Sequence, residues 1–252
     1  MKLNDSHTFP LGLKRNVRFY MTNPAPCPYM PGKRERKAFT SLAVSDADAL
    51  HDTLSKSGFR RSQGIAYRPA CPSCNACRSV RVDVQQFKFS RNQRRVLRAN
   101  EDLVRYPVAA QATRQQYRLL KRYLRGRHNG GGMSDMSYRD YVSMVSDSPV
   151  QSLIFEYRAS NAPNAPLVAA AITDVLRDGL SMVYTFYEPD MDARSLGRFM
   201  ILDHIREVAT LGLPHLYLGY WIKGSEKMHY KRQYRPLEVL DGDRWRPLLD
   251  SE

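Results

Sequence analysis

The most informative segment of the chain lies near the C-terminus and reads YLGYWIKGSEKMHYKRQYRP over residues Tyr217–Pro236. It begins as a short apolar and aromatic strand that ends near Gly219, turns at Gly224, and continues as a predicted helix capped by Ser225. Four residues of that helix fall at offsets of zero, three, four and seven, and therefore share one face: Lys227, Tyr230, Lys231 and Tyr234. Two ammonium groups beside two phenols can hold an anion. The alternative is a solvated helix whose lysines lie over packed tyrosines.

The charge of the whole chain favours an anionic partner. Its 252 residues include 39 Lys and Arg against 25 Asp and Glu, a formal net charge of +14. Such an excess is typical of proteins that bind nucleic acid or an anionic membrane surface. No apolar run approaches the roughly 18 residues of a membrane span, and residues 1–10 lack the apolar core of a signal peptide. We therefore expect a cytoplasmic protein with one or two domains.

Two predicted helices concentrate the positive charge. The first spans residues 90–100, where four arginines at offsets of zero, three, four and seven form a stripe: Arg91, Arg94, Arg95 and Arg98. The second spans about residues 113–127 and collects Arg114, Arg118, Lys121, Arg122 and Arg125 on one side. Like charges on one face repel each other unless counter-charges arrive. Nucleic-acid phosphates would supply them, and the alternative is an exposed face neutralised by small ions.

Three of the four cysteines form a C-x2-C-x2-C run, Cys71, Cys74 and Cys77, while Cys27 lies earlier in a proline-rich loop. Four thiolates can complete a tetrahedral zinc site or hold an iron-sulfur cluster. In a reducing compartment, a disulfide is disfavoured relative to a metal or free thiols. Because the run differs from paired C-x2-C knuckles, both a metal or cluster site and redox-sensitive free thiols remain open. A bound metal would shape the N-terminal domain or gate activity by redox state.

The order of predicted elements indicates an α/β (α+β) chain in two parts. A smaller N-terminal domain with the cysteines covers residues 1–110, and a larger domain covers residues 111–252. The N-terminal part is predicted to contain strands at 37–44, 59–67 and 79–84 and a helix at 46–56 capped by Ser45. An extended piece at 103–109 separates the two basic helices, and a flexible break at Asn129–Gly132 and a helix at 137–145 follow them.

The larger part is predicted to contain strands at 150–157, 167–175 and 180–187, then a helix at 195–211, a parallel strand at 215–219 and a last helix. This layout resembles the GNAT acyltransferase fold, in which an acyl donor enters a split in the sheet. We therefore expect a GNAT-like aminoacyl transfer domain.

The segment Arg194–Phe199, RSLGRF, bears on the identity of the donor. It resembles the R-x-x-G-x-G/A loop whose backbone amides hold a coenzyme A pyrophosphate at a helix N-terminus. Here Phe199 replaces the final small residue, and its benzyl side chain is expected to obstruct the approach of the pyrophosphate. This argues for a different donor in the same cleft.

Several motifs together resemble one family. They are Tyr67-x-Pro69-x-Cys71-x2-Cys74-x2-Cys77-x3-Arg81-Val82, Tyr184–Tyr187 with Asp190, Ser195–Gly197, and the stretch Tyr217–Pro236. The set is similar to the arginyl-tRNA protein transferase family, and more closely to its bacterial branch, the aspartate/glutamate leucyltransferases. The similarity covers residues 19–237. Eukaryotic relatives hold an iron-sulfur cluster with a C-x2-C motif and a vicinal cysteine pair. Because this chain differs there, cluster binding does not carry over directly.

The resemblance implies transfer of leucine from leucyl-tRNA to the α-amino group of proteins that begin with Asp or Glu, which marks them for degradation. It implies no cofactor for the transfer. The polyanionic donor suits six of the arginines, which we expect to bind tRNA: Arg91, Arg94, Arg95, Arg98, Arg118 and Arg122. An acidic acceptor needs a cationic pocket. The expected substrate-binding residues are Arg78, Arg81, Lys223, Lys227, Tyr230, Lys231, Ser195 and Gly197.

The expected chemistry needs no strong base. An α-amine with a pKa near 8 is partly neutral at cellular pH, and an aminoacyl ester is already activated. The enzyme must hold amine and ester carbon about 3 Å apart and stabilise the developing oxyanion. We expect direct attack, with Tyr184 and Tyr220 as hydrogen-bond donors or proton relays and Asp190 orienting the amine. The alternative for each tyrosine is core packing with its hydroxyl at the surface.

Two other functions are compatible with parts of the sequence. A coenzyme A dependent N-acetyltransferase is favoured by the fold and disfavoured by Phe199. A non-catalytic, metal-stabilised RNA-binding module is favoured by the cysteines and the arginine stripes, but it does not account for an acyltransferase half.

Overall fold

The computed structural model describes residues 17–127 and 135–252. The predicted break at Asn129–Gly132 lies outside these residues. The N-terminal elements are β1 (Tyr20–Met21), β2 (Ala25–Pro26), β3 (Arg34–Glu35), β4 (Lys37–Ser41), α1 (Ala47–Lys56), β5 (Arg60–Ser62) and β6 (Ile65–Pro69). They form an antiparallel sheet in the order β1-β4-β6-β5 and a separate β2-β3 pair. We call residues 17–70 the N-terminal unit.

The rest of the described chain builds one eight-stranded sheet with helices on both faces. Its elements are β7 (Cys77–Asp83), α2 (Arg91–Arg98), β8 (Val104–Ala109), α3 (Arg114–Arg127), α4 (Tyr138–Val145), β9 (Ser152–Arg158), β10 (Leu167–Leu176), β11 (Gly179–Tyr187), α5 (Leu196–Thr210), β12 (His215–Ile222), α6 (Glu226–His229), β13 (Leu237–Asp241) and β14 (Arg244–Pro247). The strand order is β14-β13-β7-β12-β11-β10-β9-β8. The predicted mixed class and the GNAT-like succession of strands and helices are confirmed.

Two local predictions needed correction. The single strand predicted at 59–67 is a hairpin, because Gln63 adopts a left-handed conformation with φ 51° and turns β5 back into β6. Helix α1 begins after Asp46 rather than being capped by Ser45, and Asp46 makes no capping side-chain hydrogen bond. The proposed division at residue 110 stays a prediction. In the large sheet, β7 and β8 precede residue 110 in the chain, and the other six strands follow it.

Alternating residues of β10 feed two separate cores. Ala169 and Ala171 face a core covered by α2 and α5, whereas Ala170 and Ile172 face a core covered by α3 and α4. Successive side chains of a strand point to opposite faces, so β10 is buried on both sides and reads as a nearly continuous apolar run. A third core, between α1 and the N-terminal sheet, contains Leu42, Leu50 and Leu54.

The sheet opens between β11 and β12. These strands are parallel, and their register extends over three residue pairs, from Gly179↔His215 to Ser181↔Tyr217. Immediately beyond that point each strand is irregular, because the β10–β11 register skips Val183 and the β12–β7 register skips Leu218. Such bulges bend a strand and re-aim its backbone groups. We call the open region beyond the three pairs the split.

A buried carboxylate fastens the N-terminal unit to the large sheet. Asp174 of β10 accepts hydrogen bonds from His51 Nε2 at 3.0 Å, from Arg61 Nε at 2.8 Å and from Ser152 Oγ at 2.7 Å. Burial by itself raises the pKa of Asp174, but the hydrogen bonds and charges of His51 and Arg61 outweigh it and lower the pKa to about 2. The two parts of the chain therefore share an ion pair that is closed to solvent.

Among the described residues, none of the helices combines the length and the apolar character that a membrane crossing requires.

Replacing Asp174 with Asn should lower the free energy of unfolding by about 3–5 kcal/mol at pH 7, because it leaves the Arg61 charge buried without a partner. The folded pKa of about 2 lies below the unfolded value of about 3.9, so the ionisation of Asp174 accounts for about 2–3 kcal/mol of this difference, and that part is present above about pH 4 and is lost as the pH falls towards 2. Urea denaturation at several pH values measures it. Asp243, whose side chain is 94% exposed, provides the matched control, and D243N should leave the urea midpoint unchanged. Equal midpoints for D174N and D243N would contradict this prediction.

Candidate functional site

The larger cavity lies between the N-terminal unit and the large sheet and has a volume of about 950 Å³. Its lining includes more basic than acidic side chains. The basic ones are Lys33, Arg34, Lys37, Arg68, Arg78 and Lys223, and the acidic ones are Glu35, Asp241 and Glu252. Tyr29, Tyr67 and Tyr220 also line it. We call this cavity the cationic pocket.

The smaller cavity, of about 360 Å³, lies where α5 begins. Three tyrosines from three different elements line it, namely Tyr123, Tyr187 and Tyr230, together with Ser195, Gly197 and Arg198. A side chain at position 197 would bring a Cβ atom within 3.3 Å of the Tyr187 ring, so glycine allows the ring to pack against the first turn of α5. We call this cavity the aromatic pocket.

Arg60 lies in the split and is part of the lining of neither pocket. Its guanidinium donates to the carbonyl oxygens of Met182 and Val183, each at 3.0 Å, and to that of Leu218 at 3.4 Å. Burial raises the pKa of Tyr29 in the cationic pocket and of Tyr230 in the aromatic pocket, and the charge of Arg60 opposes both shifts. The same guanidinium thus acts on side chains of both pockets.

The helix predicted after Ser225 is wrong in its length and in its shared face. Helix α6 makes a single turn and is followed by a 3-10 turn at Tyr230–Gln233. Lys231 is 4% exposed and Tyr234 is fully buried, whereas Lys227 is exposed. The physical reason is that the tighter 3-10 winding, with three residues per turn, breaks the 3.6-residue period on which the predicted shared face depends.

Lys231 has a different environment from the one predicted. Its ammonium group donates to the backbone carbonyl oxygen of Tyr220, and burial together with the nearby Arg60 charge lowers its pKa well below the usual value. A lysine held this way is closed to a substrate carboxylate. It fastens the C-terminal segment to β12 instead.

The other predicted cations separate into paired and unpaired groups. Arg81 donates to Glu238 at 2.7 Å and lies 4.4 Å from the centre of the Trp245 ring, so its charge is already matched. Arg78 lines the cationic pocket but pairs with Glu252 and Asp241. Lys223 is exposed on the cationic pocket and, within residues 17–127 and 135–252, forms no ion pair. Lys227 lines neither pocket.

The predicted catalytic residues do not come together. Burial raises the pKa of Tyr184 to about 12, so its hydroxyl keeps its proton at neutral pH. Tyr220 is buried, and its hydroxyl lies 3.0 Å from the carbonyl oxygens of both Gly58 and Tyr67. The Tyr220 hydroxyl proton is therefore already donated to a backbone carbonyl. This geometry does not support a role for Tyr220 as a proton relay. Asp190 is exposed in the loop after β11. The catalytic roles of all three stay predictions.

The expected obstruction by Phe199 is also wrong. Its side chain is 5% exposed and meets the Tyr157 ring edge-on at 5.4 Å in the core beneath α5. Because the ring points away from the aromatic pocket, it does not limit what approaches the start of the helix. The side chain that fills the split is Arg60, which sequence analysis missed. The sequence indicated only that Arg60 lies in the strand predicted at 59–67.

All four cysteines line the cationic pocket as free thiols. Burial, and then the neighbouring Cys27, Cys71 and Cys74, raise the pKa of Cys77 to about 11. Cys74 Sγ lies 3.9 Å from Lys33 Nζ. In the described ranges, no three His, Cys, Asp or Glu residues are arranged to hold a metal ion. In this arrangement the thiols do not fit a bound metal. Zinc or iron-sulfur binding stays a prediction.

Both predicted basic helices are present and flank the aromatic pocket. On α2 all four arginines of the stripe are exposed, while Val96 and Leu97 enter the core. Asn100 donates to the Arg194 carbonyl at 2.9 Å, and Gln93 donates to the Gln233 carbonyl at 3.0 Å, which places α2 beside this pocket. Helix α3 contributes Tyr123 and Arg127 to the pocket wall. Arg118 is exposed, and Arg122 is exposed and pairs with Glu188.

Comparisons with known proteins agree along the chain. Residues 25–95 match the family described as "Arginine-tRNA-protein transferase, N terminus", and residues 115–241 match its "C terminus" counterpart. A protein of Hyphomonas neptunium named aspartate/glutamate leucyltransferase is 69% identical over the whole of both chains. A protein of the same name from Phenylobacterium zucineum is 51% identical over 92% of this chain and 91% of its own.

Solved structures are more distant. L-PGS from Bacillus licheniformis aligns with a TM-score of 0.47 and 14% identity, covering 76% of this chain and 64% of its own. FemX aligns with a TM-score of 0.47 and 9% identity, covering 81% and 69%. Similarity at this level does not bear on substrate or activity.

The raised pKa makes Cys77 slow to react. With a pKa of about 11, about one thiol in a thousand is ionised at pH 8, so alkylation by iodoacetamide should be about 100-fold slower than for an unperturbed thiol. Its rate should rise about tenfold per pH unit up to about pH 11. Mass spectrometry of timed samples measures this, and unfolding in urea should remove the difference. A rate that levels off near pH 8.5 in the folded protein would refute the assignment.

Proposed function

This chain belongs to the arginine-tRNA-protein transferase family, and on that premise we propose that it moves leucine from leucyl-tRNA to proteins that begin with Asp or Glu. As a member of the family, it is an aminoacyl-tRNA protein transferase, whose two substrates are an aminoacyl-tRNA and a protein. Leucine as the transferred group is supported by the names of its relatives at 69% and 51% identity. The acceptor is the free α-amino group of the protein.

The observation that carries the proposal is that two pockets of different chemistry flank one split in the sheet. Ester aminolysis needs the two reacting groups to arrive from separate carriers and to meet at one point. The split offers such a point, because β12 contributes Tyr220 and Trp221 to the cationic pocket and β11 contributes Thr185 and Tyr187 to the aromatic pocket.

The aromatic pocket suits the 3′ end of the donor tRNA. Its tyrosines offer faces on which a terminal adenine can stack. The fifteen-residue helix α5 begins at its wall, and Arg198 adds positive charge for a phosphate, whereas Arg127 is paired with Asp192. The exposed arginines of α2 lie alongside, where they can follow the acceptor stem. Contacts from Arg91, Arg94, Arg95, Arg98, Arg118 and Arg122 are part of the proposal.

The cationic pocket suits the acidic N-terminal residue of the protein acceptor. Two of its basic side chains already have carboxylate partners, Lys37 with Glu35 and Arg78 with Glu252. Among the described residues, Lys33, Arg34 and Lys223 form no such pair, and we propose Lys33 and Lys223 as the cations that an Asp or Glu side chain meets, because the Arg34 guanidinium already donates to the Pro24 carbonyl oxygen. A neutral N-terminal residue would leave both without a partner.

The transfer itself is direct. The amine nitrogen forms a bond to the leucyl carbonyl carbon, the bond from that carbon to the tRNA 3′ oxygen breaks, and the 3′ oxygen takes up a proton. Tyr184 directly follows Val183, whose carbonyl faces the split, and its hydroxyl keeps its proton at neutral pH. It is our candidate donor to the oxyanion. We further propose that no cofactor takes part, and that the product is a degradation signal in the cytoplasm.

The substrate pairing is tested by adding tRNA charged with labelled leucine or arginine to peptides that begin with Asp, Glu, Arg or Ala. We expect leucine on the Asp and Glu peptides, because only these place a carboxylate against Lys33 and Lys223. An Nα-acetylated Asp peptide is the control, and it should remain unlabelled since its amine is blocked. Transfer of arginine instead of leucine would show that the proposed branch is wrong.

The tRNA surface is tested by exchanging Arg91, Arg94, Arg95 and Arg98 together for Gln. Removing one phosphate contact should flatten the slope of log affinity against log salt by about 0.7–0.9. Filter binding of leucyl-tRNA at several salt concentrations measures the slope. Arg244, whose side chain is 90% exposed on β14, is the matched control, and R244Q should leave the slope unchanged. An unchanged slope in the fourfold variant would exclude α2 from the tRNA surface.

A further inference from the structure

The split exposes backbone groups that lack strand partners. Beyond Ser181 and Tyr217 the two strands no longer pair, so carbonyl oxygens on both edges need other donors. Arg60 supplies donors for three of them, two on β11 and one on β12. Lys231 supplies a donor for a fourth, that of Tyr220. The split is therefore filled from two sides, by Arg60 and by Lys231.

Gly219 leaves the space that Arg60 occupies. It adopts a left-handed conformation with φ 74°, and a Cβ atom at this position would lie 1.5 Å from Arg60 Nη1 and 2.2 Å from Arg60 Cζ. Any side chain on Gly219 would consequently displace the guanidinium. Gly219 of β12 and Arg60 of β5 lie far apart in the chain, but the space left by the absent side chain of Gly219 is occupied by the Arg60 guanidinium.

Arg60 differs from its neighbour Arg61 in what it binds. Successive residues of β5 point to opposite sides. Arg61 forms the buried ion pair with Asp174, which fastens the N-terminal unit. Arg60 forms no ion pair with a carboxylate within the described residues, and its guanidinium donates to backbone carbonyls of both split strands. The position of the Arg60 guanidinium is therefore determined by backbone carbonyls of β11 and β12 and not by a carboxylate.

We propose that Arg60 is the positioning residue of the transfer reaction. It holds β11 and β12 apart at their bulges and fixes the cationic pocket, carried by its own N-terminal unit, relative to the split. This inference rests on the proposed function, and it adds a residue that the resemblance did not indicate.

The first experiment compares R60K with R61K. Lysine at position 61 keeps a charge for Asp174, whereas lysine at position 60 loses the planar fork that reaches carbonyls on two strands. We expect R60K to lower the single-turnover rate of leucine transfer to an Asp peptide about 100-fold, because a misplaced acceptor loses its alignment. The KM for leucyl-tRNA should change by less than about threefold, since phosphate contacts lie elsewhere. R61K should retain the wild-type rate within about threefold.

The second experiment is a double-mutant cycle of R60A and G219A, with melting temperatures measured in parallel. Each single variant should lower the transfer rate about 100-fold, and the double variant should be no slower than either, because both remove the same guanidinium from the split. G219A should lower the melting temperature more in the wild-type background than in R60A, because only with Arg60 present does displacement of the guanidinium add to the strain of a methyl group on the left-handed backbone. Circular dichroism at the assay temperature confirms that each variant is folded.

The possible results distinguish a failure of the proposed function from a failure of the proposed role of Arg60. Absence of leucine transfer by the wild-type protein contradicts the proposed function. If the wild-type protein is active, equal rates for R60K and R61K contradict the role of Arg60. A double variant about 10⁴-fold slower than wild type would contradict it too, because independent effects multiply.

Discussion

The short parallel ladder between β11 and β12 is the constraint on which the site depends. Its three residue pairs join the strands at one end, and the bulges at Val183 and Leu218 separate them at the other. Backbone groups exposed by such a separation need partners inside the protein. Arg60 and Lys231 provide them from two distant segments. The opening of the sheet thus fixes both the N-terminal unit and the C-terminal segment, and with them the two pockets.

The basic side chains divide into two groups by their partners. Arg61 and Arg81 bind carboxylates and contribute to attachment and packing. The arginine stripe on α2 is exposed, and Lys33 and Lys223 lack carboxylate partners among the described residues. Uncompensated charges on a surface or in a pocket contribute little to the stability of the free protein, and they bind anions when these arrive. The net charge of +14 is therefore explained by the anionic groups of both proposed substrates.

Local sequence signals predicted much of the fold. Helix α2 was predictable because Ser90 and Gln93 form a capping box ahead of a periodic apolar face, and β9, β10 and β11 followed from apolar runs between turn residues. Cys27 was expected to lie near the later cysteine run because a tetrahedral site needs a fourth thiolate, and the four thiols do line one cavity.

What failed depends on contacts between distant residues. Periodicity placed Lys231 beside Lys227 on an anion-binding helix face, but the helix changes to a 3-10 turn after residue 229 and the lysine is buried. Phe199 was judged from a loop motif, although the packing of α5 turns its ring into the core. The sequence could not distinguish Arg60 from Arg61. Which arginine enters the split and which one binds Asp174 is determined by residues of β10 and β11, which are distant from both in the chain.

The central claim is that the donor and the acceptor reach one split from two different pockets. A crystal structure of the protein with a non-hydrolysable leucyl-adenosine 3′-amide tests it most directly. We expect the adenine against Tyr187 and Tyr230 in the aromatic pocket, with the leucyl carbonyl directed towards the split. An adenine bound in the cationic pocket beside Lys33 and Lys223 would contradict the claim.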